Sequence, residues 1–315
     1  MNKISTDIQQ AVAFLTEGRL VGIPTETVYG LAANALDPLA VASIFEAKRR
    51  PTFDPLIVHV PDFKAVSLYV KDIPAPLEAI ANAFWPGPVT LLFEKKDIIP
   101  DLVTSGLETV AIRVPNHPLT LELLAALDFP LAAPSANPFG YISPTTAQHV
   151  VDQLENEISM VLDGGPCSIG VESTILQWSD GKIKVLRWGG LSVDDLAPFN
   201  VQIEVNTHST SNPTAPGMLT SHYSPRKKMK LVSSISQTNE IENQRVGFLT
   251  WTSKSENPKH LTLSETGNVA EASQNLFSFL RKLDTMDIDL IIAEKVPDVG
   301  LGKAINDRLT RAAAE

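Results

Sequence analysis

Polar side chains suited to gripping a small anion recur in this sequence where predicted strands end, the place at which α/β folds hold their ligands. The segment Pro24-Thr25-Glu26-Thr27-Val28-Tyr29-Gly30 follows an apolar run and offers two hydroxyls, a carboxylate and a phenol; a capped turn would use the same residue types. Lys48-Arg49-Arg50-Pro51, followed by Asp54-Pro55 and His59, is a three-residue basic run in an otherwise acidic region. Basic residues at a helix C-terminus usually answer the helix dipole on a solvated face, whereas a rigidly held Lys/Arg pair suits the charge-assisted hydrogen bonds of a triphosphate. By itself, His59 on an apolar strand reads as a satisfied core histidine.

Thr109-Val110-Ala111-Ile112-Arg113-Val114-Pro115 is an apolar strand with one arginine. A buried guanidinium is costly unless it meets a carboxylate of the protein or of a ligand. In Ala132-Ala133-Pro134-Ser135-Ala136-Asn137-Pro138, with Ser143-Pro144-Thr145 behind it, small residues let a ligand near the backbone, and Ser135 and Asn137 share a face if extended. Gly170-Val171-Glu172-Ser173-Thr174-Ile175 enters a strand and Arg187-Trp188-Gly189-Gly190 leaves one; each could be a turn. Together these segments put hydroxyls and isolated arginines, without an evident nucleophile–base pair, around one sheet edge. That combination suits catalysis by positioning and charge neutralisation. The sequence has no GxxxxGK[ST], GxGxxG, HExxH or GxSxG, and its histidines are scattered.

Such a site needs a scaffold. Ile8, Ala11, Val12 and Leu15 at helical spacing predict a helix within residues 5–17, which Gly18 stops before a buried strand from Arg19 to Pro24. Asp37-Pro38 opens a helix through Lys48. Strands are expected at Leu56–Val60, Val89–Phe93, Thr109–Val114, Pro130–Ala133, Met160–Leu162, Ser173–Trp178 and Ile183–Arg187, with helices near Ala75–Phe84, Pro118–Leu127 and Thr145–Leu154. The expected fold is α/β: a twisted mixed sheet with helices over residues 1–200, a Ser/Thr/Pro/Asn-rich surface linker at 201–225, and a smaller Rossmann-like parallel-sheet domain at 226–315.

Composition sets the outer bounds. The 315 residues, 43% hydrophobic and 20% charged, describe a globular chain. Its N-terminus lacks a signal-peptide pattern and no apolar run is long enough to span a bilayer, so a soluble cytoplasmic protein without a membrane partner is expected. Cys167 is the single cysteine, which excludes an intrachain disulfide. The net charge of −10 divides unequally: residues 1–225 hold 13 Lys and Arg against 24 Asp and Glu, while residues 226–315 hold 13 against 12. Stable nucleic-acid binding is therefore not expected, and the few basic groups of the first part stand out.

PTETVYG, the KxRP element, PLIVHV, WPGPVT, TVAIRVP, APSAN with a following SPT, and GVESTI, in this order, closely resemble the YrdC/TsaC family of threonylcarbamoyl-adenylate synthases over about residues 5–200. APGM and HY in the linker, followed by a second α/β domain, are similar to its two-domain, Sua-type branch. The resemblance implies a nucleotidyltransferase that converts L-threonine, bicarbonate and ATP to threonylcarbamoyl-adenylate and pyrophosphate. The product would pass to a downstream TsaD-type transferase complex that modifies tRNAs reading ANN codons. It implies that Thr27, His59, Arg113, Ala133 (through its backbone) and Ser173 hold threonine, with Arg113 on its carboxylate. Lys48 and Arg50, the implied catalytic pair, would hold ATP with Asp54, Thr109, Ser135, Asn137, Ser143 and Arg187, under a linker lid contacted by Tyr223 and His222. Mg²⁺ would come bound mainly to phosphates and water. Two departures stand out: Asp54 replaces a usual Asn beside the nucleotide, and Gly217-Met218-Leu219-Thr220-Ser221-His222-Tyr223 lacks the family's basic residue and additional tyrosine. An RNA-binding module and a carbamoyl transferase are the competing readings, the first disfavoured by charge and the second by missing accessory regions.

Overall fold

A computed structural model of the protein describes residues 3–207, 215–218, 222–235 and 245–314. Linker residues 208–214 and Leu219-Thr220-Ser221 lie outside the described residues. The first part of the chain runs β1 (Ile4–Ser5), α1 (Ile8–Thr16), β2 (Val21–Ile23), β3 (Gly30–Asn34), α2 (Pro38–Lys48), β4 (Ile57–His59), α3 (Ala75–Phe84), β5 (Val89–Glu94) and α4 (Asp101–Thr104). It continues as β6 (Thr109–Arg113), α5 (Pro118–Ala125), β7 (Leu131–Ala132), α6 (Ala147–Leu154), β8 (Met160–Leu162), β9 (Thr174–Ser179), β10 (Lys182–Arg187) and β11 (Ile203–Val205). After the linker come β12 (Lys228–Val232), β13 (Val246–Thr250), β14 (His260–Thr262), α7 (Val269–Thr285), β15 (Leu290–Glu294) and α8 (Gly302–Ala312).

The strands form an 11-stranded mixed sheet, ordered β1-β8-β2-β3-β7-β4-β6-β5-β9-β10-β11, and a four-stranded sheet ordered β12-β15-β13-β14. All pairings in the smaller sheet are parallel, as its alternation of β and α predicts. The expected helices and strands are present with shifted ends, and β1, β3, α4, β11 and β14 are additional. β3 is Gly-Leu-Ala-Ala-Asn, a run without β-branched residues that is held extended by antiparallel pairing to β2 and β7. Tertiary pairing overrides its weak intrinsic preference.

Local chemistry sets the helix ends that matter for function. The Asp37 carboxylate caps α2 by accepting from the Leu39 amide at 2.9 Å, and Pro38 follows in the first turn. The helix stops at Arg49, whose φ of 52° is left-handed. That turn leaves Arg49 exposed and points Lys48 and Arg50 inward. The solvated-face reading therefore holds for Arg49 alone.

The linker departs from the expected surface segment. It starts as β11, which pairs parallel with β10, and Ala215–Met218, His222 and Tyr223 are buried. One apolar cluster joins Val28, Ile142, Val171 and Tyr223 to Leu276, Phe277, Leu280 and Leu309, so the two sheets share a core across the seam. Polar bonds line the same seam: the Ser273 hydroxyl and the Gln274 amide donate, each at 2.6 Å, to the Ile169 and Ser168 carbonyls. Gly170 lies between them with φ of 85°, and a Cβ there would overlap the Ser273 carbonyl and stand 2.6 Å from the Gln274 Cα. Gly170→Ala is therefore expected to destabilise the chain by about 2 kcal/mol, from overpacking and a left-handed alanine. A denaturation midpoint equal to that of the unsubstituted chain would show that the seam opens without cost.

Candidate active site

Strand register builds the first half of the site. β4 and β6 are parallel with His59 opposite Arg113, which brings an imidazole and a guanidinium to one sheet end. Arg113 donates through Nε to the Gly87 carbonyl at 3.2 Å and through an Nη to the Thr27 hydroxyl at 2.9 Å. Its second Nη is 2.8 Å from Glu26 Oε2. The Thr27 hydroxyl also meets that of Thr25 at 2.8 Å, and Thr25 donates to the Val28 carbonyl, so the PTETVYG turn is folded around its own hydroxyls. Tyr29 turns away: its phenol donates to the Gly165 carbonyl and accepts from the Gly164 amide.

The second half comes from α2, β9 and β10. Arg50 donates to the carbonyls of Asp54 and Pro55, and an Nη lies 2.9 Å from Asp54 Oδ2. The register of β10 against β9 shifts between Val185 and Arg187, and this irregularity re-aims Arg187. Arg187 then donates to the Ser173 carbonyl and hydroxyl and, at 3.2 Å, to the Pro216 carbonyl of the linker. Ser173 Oγ lies 2.7 Å from Thr90 Oγ1.

These groups surround a narrow recess of about 50 Å³. Thr27, Arg50, His59, Arg113, Ala133, Ser135, Ser173, Arg187 and Tyr223 line it, as the resemblance implies. Five other implied residues do not. Lys48 spends its ammonium on the Ser135 and Asn137 carbonyls and so braces the APSAN loop from behind. Asn137 donates to Pro138 and Tyr141 within that loop, Asp54 sits behind Arg50, and the Ser143 hydroxyl donates to Glu172 at 2.5 Å. Thr109 lies four residues down β6 from Arg113, on the same side by strand alternation, and lines a separate groove. Between them Ala111 clusters with Ala215 and Met218, so the linker covers that stretch of the sheet. Among the lining residues, Glu172 escaped the sequence reading as a site residue, although it stands inside GVESTI.

Burial and charge tune the groups. Burial, with the Arg113 charge beside it, pushes His59 down to about 3. Burial lowers Arg187 to about 10 and holds the Lys48 ammonium well below its usual range. Glu26, Asp54, His59 Nδ1 and one Arg113 Nη are buried without an aligned hydrogen-bond partner among the described residues. Buried polar atoms normally have partners, and the two of these on lining residues, His59 Nδ1 and the Arg113 Nη, mark where a polar ligand would complete the site. The arrangement offers guanidiniums of the kind that bind a carboxylate, at Arg113, and phosphates, at Arg50 and Arg187. The described residues contain no group of three or more His, Cys, Asp or Glu able to hold a metal ion, and no described helix is long and apolar enough to cross a membrane.

Comparison with known proteins places this geometry in context. A family model for Sua5, YciO and YrdC proteins, described as telomere recombination, matches residues 13–189. A second, described as the C-terminal domain of threonylcarbamoyl-AMP synthase, matches residues 185–314. The threonylcarbamoyl-AMP synthase of Pyrococcus abyssi is 39% identical, with 97% of this chain and 93% of the relative covered. That of Bacillus subtilis is also 39% identical over 97% of this chain and 92% of its own length. The crystal structure of P. abyssi Sua5 complexed with L-threonine superposes with a TM-score of 0.91 at 37% identity, covering 99% of this chain and 97% of that one.

His59 gives a pH test. Its value of about 3 in the folded chain lies below the ordinary 6.5, so the unfolded chain takes up a proton that the folded chain refuses. Stability therefore rises with pH between the two values and is lost as pH falls below about 6.5. His59→Gln is expected to make that dependence shallower by up to about 1.4 kcal/mol per pH unit, read from denaturant unfolding at a series of pH values. An unchanged slope would mean that the folded chain admits the proton.

Proposed function

The chain belongs to the Sua5/YciO/YrdC family, and from that premise we propose that it is a threonylcarbamoyl-AMP synthase that joins L-threonine, bicarbonate and ATP with release of pyrophosphate. The observation that carries this reading is the division of one recess between Arg113, set for a carboxylate, and Arg50 with Arg187, set for phosphates. Threonine's carboxylate lies on Arg113, and Thr27, Ser173, His59 and the Ala133 backbone surround the remainder. The Ala133 amide already donates to the Ile57 carbonyl, so that backbone is fixed before substrate arrives.

The neutral threonine amine attacks the carbon of bicarbonate with loss of water, or of CO2 formed from bicarbonate with release of the amine proton to solvent, to give a carbamate. A carbamate oxygen then attacks the α-phosphorus, and the bond to the pyrophosphate oxygen breaks. Negative charge grows on the leaving group, and Arg50 and Arg187 are fixed donors for it. His59 stays neutral at physiological pH because of its depressed value, so it orients rather than donates a proton charge. Carbamates decompose in water, and the linker segments Pro216-Gly217 and His222-Tyr223 roof the recess. A resident Mg²⁺ does not fit the donor set, since Asp54, Glu26 and Glu172 each already face a guanidinium. Mg²⁺ enters as part of the MgATP substrate, held through phosphate oxygens and water. A TsaD-type transferase complex that modifies tRNA in the cytoplasm would consume the product.

The test is pyrophosphate release. It should require threonine and bicarbonate together, and release that continues at full rate without threonine would refute the reading. The Arg50→Ala/Asp54→Asn double variant, which leaves no buried carboxylate unpaired, is expected to lower kcat/KM by about 100-fold or more with the chain still folded. Arg113→Lys should raise the KM for threonine by about tenfold while leaving that for ATP nearly unchanged, because an ammonium cannot reproduce the guanidinium's fork.

A further inference from the structure

The recess is not closed by the first domain alone. Helix α8, the last of the chain, carries Arg308 and Arg311, both almost completely buried, and Arg308 lies against Glu172 and Tyr223, which line the recess. Arg308 donates through Nε to Glu172 Oε2 at 2.7 Å and through an Nη to the Trp188 carbonyl at 2.8 Å. Its other Nη pairs with Asp307, and its guanidinium carbon lies 4.7 Å from the centre of the Tyr223 ring. The second oxygen of Glu172 accepts from the Ser143 hydroxyl. Burial alone would raise the Glu172 carboxyl, but the Arg308 and Arg187 guanidiniums and the Ser143 hydroxyl hold it below the usual range. It is a carboxylate with one oxygen for each domain. One helical turn on, Arg311 donates to the Thr207 carbonyl at 2.7 Å, and its own carbonyl accepts from the His222 amide. The helix thus grips the linker at two points, Thr207 and His222.

We propose that Arg308 is a positioning residue for the adenylate-forming step, acting through its ion pair on Glu172 and its aromatic contact on Tyr223, both of which line the recess. The inference rests on the synthase reading. The C-terminal domain then supplies part of the ATP side of the site rather than an independent activity. Arg308 fixes three things at once: the carboxylate that orients the Ser143 hydroxyl, the carbonyl immediately after Arg187, and the ring that roofs the recess. A mere domain clamp would predict lower stability with unchanged constants per folded molecule. A positioning residue predicts changed constants in molecules that remain folded.

The experiment compares Arg308→Lys, Arg308→Gln, Glu172→Gln and the Glu172→Gln/Arg308→Gln double variant in the full-length chain. The double variant replaces the ion pair by two neutral side chains and avoids an unpaired buried charge. Binding of a non-hydrolysable ATP analogue and of L-threonine is measured by calorimetry, beside pyrophosphate release and cooperative unfolding. Arg308→Lys keeps the charge but cannot reach both Glu172 and Trp188 while lying over Tyr223. It is expected to weaken analogue binding and to lower kcat by about tenfold, with threonine affinity within about twofold. Losses in the double variant should fall well short of the product of those in Glu172→Gln and in Arg308→Gln made singly, as for residues acting as one unit. Arg308→Lys with unchanged analogue affinity and kcat, or losses that multiply, would overturn the proposal. If the unsubstituted chain releases no threonine-dependent pyrophosphate, the synthase reading fails instead, and the analogue titration still decides whether Arg308 orders the nucleotide side.

Discussion

The structure depends on keeping guanidinium groups dry inside an acidic domain. A buried charge is tolerated when a counter-charge and hydrogen bonds replace its water, and losing one partner of such a pair is far more damaging than replacing both. Arg50 has Asp54, Arg113 has Glu26, and Arg308 has Glu172, every one of these six side chains being buried. The carboxylates of the first two pairs are close to their cations without aligned hydrogen bonds. They neutralise the cation while carbonyls and the Thr27 hydroxyl fix its orientation, and one Arg113 Nη keeps no aligned acceptor, the condition under which an incoming carboxylate gains most. The third pair is fully aligned and belongs to the frame.

That distinction resolves the oddity of Asp54. A carboxylate beside a phosphate site should repel the ligand, but this one faces Arg50 and lies behind it, so the pair presents the guanidinium forward. The same pattern appears at Glu26, within the PTETVYG turn, which faces Arg113. The acidic balance of residues 1–225 therefore does not oppose anion binding, because part of it is consumed in holding cations where solvent would otherwise compete.

Much of this was legible in the sequence. An arginine alone on the apolar strand TVAIRVP announced a buried guanidinium, and the partner it needed was found three strand-ends away at Glu26. The proline and capping residue of α2 fixed the helix whose end carries Lys48 and Arg50. What could not be read was which basic residue faces inward, since that follows from a left-handed turn at Arg49, a conformation that arginine does not favour. Lys48 and Arg50 look equivalent on paper, yet one braces backbone carbonyls and the other lines the recess. Thr109 was assigned by motif position, whereas strand length and the overlying Met218 put it in another groove. Glu172 and Arg308 were invisible as a pair because 136 residues separate them and no local pattern links a carboxylate in a strand entry to an arginine on the last helix.

The second domain follows from the chemistry of the first. A carbamate survives only where water is excluded, so the site needs a roof, and a roof made from a linker has backbone and aromatic groups that must themselves be satisfied once buried. Arg187 supplies one donor from below, to Pro216. The outer side needs a wall, and α8 provides it with an apolar contact from Leu309, a cation under Tyr223 and carbonyl partners for Arg308 and Arg311. A single-domain version of this architecture would have to leave Tyr223 facing solvent, at the cost of its ring burial and of the carboxylate that Arg308 holds against Ser143. The seam between the two sheets is therefore continuous with the recess, and the same guanidinium that docks one domain on the other finishes the site.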